Sequence, residues 1–344
     1  MRDYNIDVIS NVKNHELNEF YDNVFKDRNN FLKQNWKWVY RFGYLNYEPL
    51  VLLNNKKKII GQAGLIPAKI NYKNISYPAT WFVDFILLEE FRAKGLGTFL
   101  TKEWMKICSN QITYCNKSSL KIFKKLGWQY NEKSKRIGLS INYLKFIPLI
   151  KKFKFPLLEK IFFKINKMKL NNTPFFTPKL LNDNKNTILN NFLKKKNLET
   201  DKFQILRDEE WFKWRFLDCP YNKNIYYFEY ENNYAIVHLF KRDYIKRLNI
   251  LYSFCTDECK EDYLFFIIYK WALNNSIDLM WANSSNENFI NKIKKFFYFA
   301  WIKPLIFASY SNDILINQLL KNGISNLHGS DSDNDILQIN NNYN

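Results

Sequence analysis

The chain has 344 residues, with 52 Lys plus Arg against 33 Asp plus Glu, a formal net charge of +19. That length suits two domains, and an apolar fraction of 47% with 30 Phe, 22 Tyr and 10 Trp excludes a wholly disordered chain, while 9 Gly and 9 Pro exclude a collagenous or low-complexity one. The charge points to a polyanionic partner, but 43 of the basic residues are Lys and only 9 are Arg, beside 46 Asn; lysine drift on solvated faces explains much of it, and the planar forks that clamp phosphates or read base edges are scarce.

Residues 4–10 alternate like a strand, and Leu17, Phe20, Tyr21, Val24 and Phe25 give 14–29 a helical stripe. Residues 49–54 and 58–66 flank the polar Asn54–Lys57 as a hairpin, and 68–72 and 80–88 read as further strands. A helix over 96–109, a strand at 111–115, a helix at 117–126 and a strand at 136–142 complete a mixed α/β sheet with helices on its faces, a first domain over 1–142. Residues 143–170 hold eight Lys against one Glu, with Pro148 and Pro156 as breakers. Leu158, Ile161, Phe162, Ile165 and Met168 share one helical face there. This is either an inter-domain connection or a basic amphipathic helix resting on an anionic membrane.

A second domain follows over 171–328, with the aromatic stretch 209–216, strands at 225–231, 233–240 and 247–256, a helix at 260–274, a strand at 277–282 and a helix at 285–297. The polar tail 329–344 is expected to fray. A weak repeat links the halves: Lys37-Trp38 and Lys213-Trp214 each precede a hairpin, and Asn116–Ser119 and Asn283–Asn286 each open a helix after a strand. Five Cys (108, 115, 219, 255, 259) without a CxxC pair and three His (15, 238, 328) imply neither a disulfide framework nor a metal centre. The N-terminus lacks an apolar signal core, and no run reaches the roughly 18 apolar residues of a membrane span, so the chain reads as cytoplasmic.

The chemistry concentrates in 80–128. Strand 81–88 runs through Arg92-Ala93-Lys94-Gly95-Leu96-Gly97-Thr98 into a helix. A Gly-punctuated turn at a helix start offers unpaired amides and the positive end of the helix dipole, which together seat a pyrophosphate. Neither GxxxxGK[ST] nor an early GxGxxG is present. Asp84 lies among apolar residues on the strand, where a carboxylate is either a base of raised pKa or a brace; Glu89 and Glu90 read as solvated. Asn116 either orients a reacting group or caps the following helix.

Arg92–Gly97 matches the [QR]xxGx[GA] acyl-CoA motif of the GNAT family, the Gcn5-related N-acetyltransferases. Asn116, Ser119, Phe123, Gly127 and Trp128 keep the spacing of a second family pattern. The resemblance covers residues 4–142 and implies an acyl-CoA N-acyltransferase (GNAT) fold in two tandem copies. It also implies acetyl-CoA between the fourth and fifth strands, pantetheine beside Leu87 and Leu88, and a coenzyme set of residues 92–98 with Asn116, Ser119 and Phe123. A small amine would attack the thioester directly, and no metal is implied. Many members carry Tyr where Phe123 stands; here either Tyr114 protonates the thiolate or it leaves unassisted. The second half lacks the loop, since 255–263 has no Gly and four acidic residues, so it resembles a non-catalytic copy whose Trp214, with Trp36, Trp38 and Trp81, would help line an acceptor pocket. Chains of this layout resemble bacterial surface-polysaccharide and nonulosonate acetyltransferases, which implies an amino-sugar acceptor, nucleotide-linked or free. The alternatives are a Fem-type aminoacyl or peptidoglycan transferase, and a membrane-surface or nucleic-acid-binding protein using 143–170.

Overall fold

A computed structural model describes residues 3–142, 176–196, 203–242, 244–255, 261–297, 300–325 and 327–333. The basic segment at 143–170 lies outside the described residues. The first half contributes β1 (Tyr4–Val8), α1 (Asn14–Val24), α2 (Asn29–Val39), β2 (Leu50–Asn54), β3 (Ile59–Tyr72), β4 (Ile75–Leu87), α3 (Leu96–Trp104), β5 (Asn110–Cys115), α4 (Lys117–Lys125), β6 (Gln129–Asn131) and β7 (Lys135–Ser140). The expected helix over 14–29 ends at Val24 and is followed by a second helix, α2, that was not expected, and the expected strands 58–66 and 68–72 are one. Pro67 falls between the reach of β2, which stops at Ala63, and that of a short later strand at Ile70, so its missing N–H interrupts neither of those ladders.

The second half contributes β8 (Lys179–Leu180), α5 (Lys185–Lys196), β9 (Gln204–Ile205), α6 (Glu209–Phe212), β10 (Ile225–Tyr230), β11 (Asn233–Arg242) and β12 (Ile245–Phe254). It continues with α7 (Glu261–Asn274), β13 (Leu279–Ser284), α8 (Glu287–Phe296), β14 (Ala300–Pro304), β15 (Ile306–Ser311) and α9 (Ile314–Asn322). α6 passes directly into a π-helical turn, Lys213–Leu217.

The strands form two mixed sheets with one shared plan. The first runs β1-β2-β3-β4-β5-β15-β6, and the second, read from its other edge, runs β8-β10-β11-β12-β13-β7-β14. In each, the sixth place is taken by a strand from the other half: β15 lies between β5 and β6, and β7 between β13 and β14. The chain boundary expected at 142 therefore does not divide the sheets. Among the described strands, parallel ladders join only β4 to β5 and β12 to β13.

Two outer apolar clusters fill the space between each sheet and its helices, one around Phe82, Trp104 and Phe123 and the other around Phe265, Tyr269 and Ile293. A third joins the halves and holds Trp36, Trp81, Trp211, Trp214 and Tyr252. At its centre the repeat is visible as bonding. Trp38 Nε1 donates to the Trp214 carbonyl and Trp214 Nε1 donates to the Trp38 carbonyl, both at 2.8 Å and both across 176 residues. Reciprocal bonds between equivalent residues are what a local two-fold relation produces.

The seam also takes in the chain's polar end. Ser330, Asp331 and Ser332 are buried, so the tail expected to fray from 329 stays in the fold through 333. Arg207 grips Asp331 with two bonds of 2.8 and 2.7 Å, Arg215 donates to the Ser332 carbonyl, and Ser330 donates to the Leu251 carbonyl. A buried guanidinium needs such partners, and its planar fork suits a carboxylate.

Candidate active site

The loop singled out in the sequence lies between the end of β4 and the start of α3. β4 and β5 pair only at Thr80–Gln111 and Trp81–Ile112. Beyond that point Asp84 adopts φ +48°, and Asp84 and Phe85 together oppose the single Ala63 of β3. Such a bulge bends the strand. β4 keeps its ladder to β3 as far as Gly61–Leu87 while its other edge parts from β5. The result is a splay whose β4 edge carries backbone groups free of a strand partner.

The turn out of the splay passes through Ala93 (φ +61°) and Gly95 (φ +77°), and Gly95 caps α3. The amides of Leu96, Gly97 and Thr98 begin the helix and have no acceptor within it. The two glycines serve different ends. A Cβ on Gly95 would meet nothing within 4 Å, so its backbone angle is what calls for Gly; one on Gly97 would lie 3.2 Å from Phe85 and 3.3 Å from Ile122, so Gly97 lets α3 close on the sheet. Arg92 Nε donates to the Leu87 carbonyl at 3.1 Å, and Lys94 lies over the Phe91 ring. The first turn of α3 has no acidic residue, whereas that of α7, its counterpart, begins Glu261-Asp262.

Asn116 caps α4. Its side-chain oxygen accepts from the amides of Ser118 and Ser119 and from the Ser119 hydroxyl, each at 2.9 Å. Phe123 is buried against Phe82 and Trp128 and brings no ionisable group. Tyr114 stacks on Trp81, with its hydroxyl 3.5 Å from Ser134 Oγ; burial pushes its phenol well up and keeps it protonated.

On the opposite face of β4 the Asp84 carboxylate meets Arg28 in an ion pair and accepts from the Tyr40 hydroxyl at 2.8 Å. Gln62 donates to Tyr40 at 2.7 Å. Burial pushes the Tyr40 phenol up to about 12 against the opposing pull of Arg28 and the Gln62 bond. The Asp84 side chain is 3% exposed, yet it has a cation and a hydroxyl as partners. The carboxylate is thereby held in place between Arg28 and Tyr40. Gly64 makes the arrangement possible, because a Cβ there would lie 3.0 Å from the Tyr40 ring and 3.1 Å from Asp84 Cβ.

The tryptophans expected around an acceptor pack into the core and the seam. Trp81 has no exposed surface, Trp36 packs on Phe42, and Trp38 and Trp214 hold each other. The groups that motif spacing missed are Arg28, Tyr40, Gln62 and Asp333. Burial raises the Asp333 carboxyl, opposed by the charges of Arg28, Arg215 and Arg136. The signal for them lay in the rarity of arginine: of nine in the chain, Arg28, Arg41, Arg207 and Arg215 are all buried.

No family model and no curated protein matches the chain. Solved structures do. A conserved Enterococcus faecalis V583 protein, given as a "Probable N-Acyltransferase", matches with a TM-score of 0.56 and 10% identity over 90% of this chain and 72% of that one. Saccharomyces cerevisiae N-myristoyltransferase with bound myristoyl-CoA matches at 0.56 and 12%, over 90% and 83%. A GCN5-related N-acetyltransferase from Anabaena variabilis matches at 0.54 and 12%, over 89% and 72%. At such identities the likeness shows the fold, which is the acyl-CoA N-acyltransferase (GNAT) fold in two mixed sheets.

Proposed function

We propose that the protein is an acyl-CoA-dependent N-acyltransferase whose first half carries the reaction, with acetyl-CoA as donor and a small amine, an amino-sugar of a surface glycan, as acceptor. One observation carries this reading: the open β4 edge, the Asp84 bulge and the glycine-capped start of α3 lie in sequence along one splay. The coenzyme supplies an acyl group activated as a thioester. The amides of 96–98 with Gly95 would take its pyrophosphate, Arg92 and Lys94 would add charge, and Leu87 and Leu88 would flank the pantetheine. The free β4 edge offers strand-like pairing and holds the acyl carbonyl in place for attack.

On the acceptor face, the Asp84 carboxylate held by Arg28 and Tyr40 would orient the amine, which gives up its ammonium proton to water before its lone pair attacks the thioester. Tyr114, held protonated beside the splay, is the available donor to a departing thiolate, since Phe123 has no proton to give. The acidic start of α7 would repel a pyrophosphate, so the second half works as a partner rather than a second centre. The same loop argues against aminoacyl-tRNA as donor in a Fem-type reaction, because that seat fits a coenzyme pyrophosphate. No helix among the described residues is long and apolar enough to cross a membrane.

The test is free-thiol release from acetyl-CoA and from myristoyl-CoA with amino-sugars and nucleotide-linked amino-sugars. Amine-dependent release is expected. No release with any donor and amine would sink the transferase reading.

A further inference from the structure

The second half keeps a splay of its own. β12 and β13 pair at Arg247–Leu279, Leu248–Met280 and Asn249–Trp281 and no further, and the β11–β12 register slips at Ile236/Val237 so that Leu251 is an extra residue. The order is that of the first half: parallel pairs, then a bulge, then a gap. A cavity of about 460 Å³ fills this gap, between the end of β12 and the start of α8, a volume in the ordinary range for a small-molecule site.

Its lining differs from a coenzyme cleft. Ser253, Asn283, Ser285 and Asn288 offer hydroxyls and amides, and Tyr252 and Phe254 offer ring surface. Among the described residues that line it, the carboxylates are Glu261 and Glu287, and none is a Lys or Arg. Glu261 accepts from Ser284 Oγ at 3.1 Å and from Asn286 Nδ2 at 3.0 Å, so the carboxylate is fixed in the wall. His328 closes one side. Burial and the Arg207 charge, against Asp331, push its ring down to about 3. The ring is therefore neutral; one nitrogen accepts from the Asp331 amide, which leaves the other as an N–H donor.

We infer that this cavity is a second small-molecule site, selective for a hydroxylated amine without phosphate. Hydroxyl and amide groups in the wall match a polyol, and the two carboxylates favour an ammonium and make a phosphate costly to hold there. The site is distinct from the acceptor face of β4. The buried segment 327–333 runs between them, with Leu327 and His328 on the cavity wall and Asp333 facing the charge of Arg28. It stands apart from the transferase reading, and one arm of its test keeps the two separate.

Calorimetric titration of the full chain with glucosamine, glucosamine 6-phosphate and CoA decides it. Glucosamine is expected to bind the native chain and Gly95→Asp alike, and to bind Ser285→Trp, which fills the cavity, about tenfold or more weakly. The 6-phosphate should bind the native chain about tenfold more weakly than the free amine, while CoA binding is unmoved by Ser285→Trp. Asn288→Trp, at the exposed rim, gives the same reading without disturbing buried groups. Absence of glucosamine binding, binding that survives both fillings, loss of binding in Gly95→Asp, or equal binding of the phosphate would each overturn the site.

Discussion

Gly95 and Gly97 stand two residues apart and answer to different constraints, one of backbone angle and one of space. Gly95→Asp would strain the cap by about 1–2 kcal/mol and set a carboxylate where a pyrophosphate is expected, so coenzyme affinity should fall by well over about tenfold. Gly95→Asn separates the two effects. Asn tolerates positive φ and is uncharged, so most of the affinity should return. Equal losses in the two variants, read by coenzyme titration, would mean that backbone strain and not charge governs the seat. Asp84 shows how far a single residue could be read in advance. Its apolar neighbours in sequence left a base and a brace equally open. The partner that favours the brace, Arg28, stands 56 positions away and follows no motif.

At the scale of elements, α4 is held by its cap. Asn116 is exposed and satisfies two amides of the first turn. Asn116→Ala should lower stability to urea by about 1 kcal/mol and leave the coenzyme KM in place. A large fall in kcat with stability unchanged would instead give Asn116 a part in the chemistry. Most elements of the first half were legible because period and punctuation are local: the strand before the loop, the glycines and the capping Asn all lie within 80–128. α2 escaped notice because Asn29, Asn30, Asn35, Trp36 and Trp38 are indifferent helix formers, and tertiary packing of Phe31, Leu32, Trp36 and Val39 supplies what propensity does not. The repeat was legible in the Trp38–Trp214 spacing, but the second capping Asn is Asn286 rather than Asn283. β15 was invisible for a different reason. A strand's pattern says that one face is buried and says nothing about which sheet it joins.

The two halves of the molecule are joined through buried charge as well as through Trp38 and Trp214. Arg207 and Asp331 are 3% and 0% exposed at the side chain. Asp331→Ala leaves a buried guanidinium without its carboxylate and should cost about 3–5 kcal/mol in a urea titration. Arg207→Met with Asp331→Leu should recover much of that, since an apolar pair of similar volume removes both desolvation terms. A loss in the double variant as large as in the single would show that the charges do more than anchor the segment. The strand exchange has a further consequence, and it concerns time. Ser311 on β15 bonds Asn110 on β5 across 201 residues. A ribosome adding about 5–20 residues per second would leave β5 and β6 without the strand between them for roughly 10–40 s after Asn110 emerges. Through that interval the nascent first sheet has two unsatisfied edges of the kind that pair with other chains. Yield of folded protein should therefore depend on what shields those edges during synthesis.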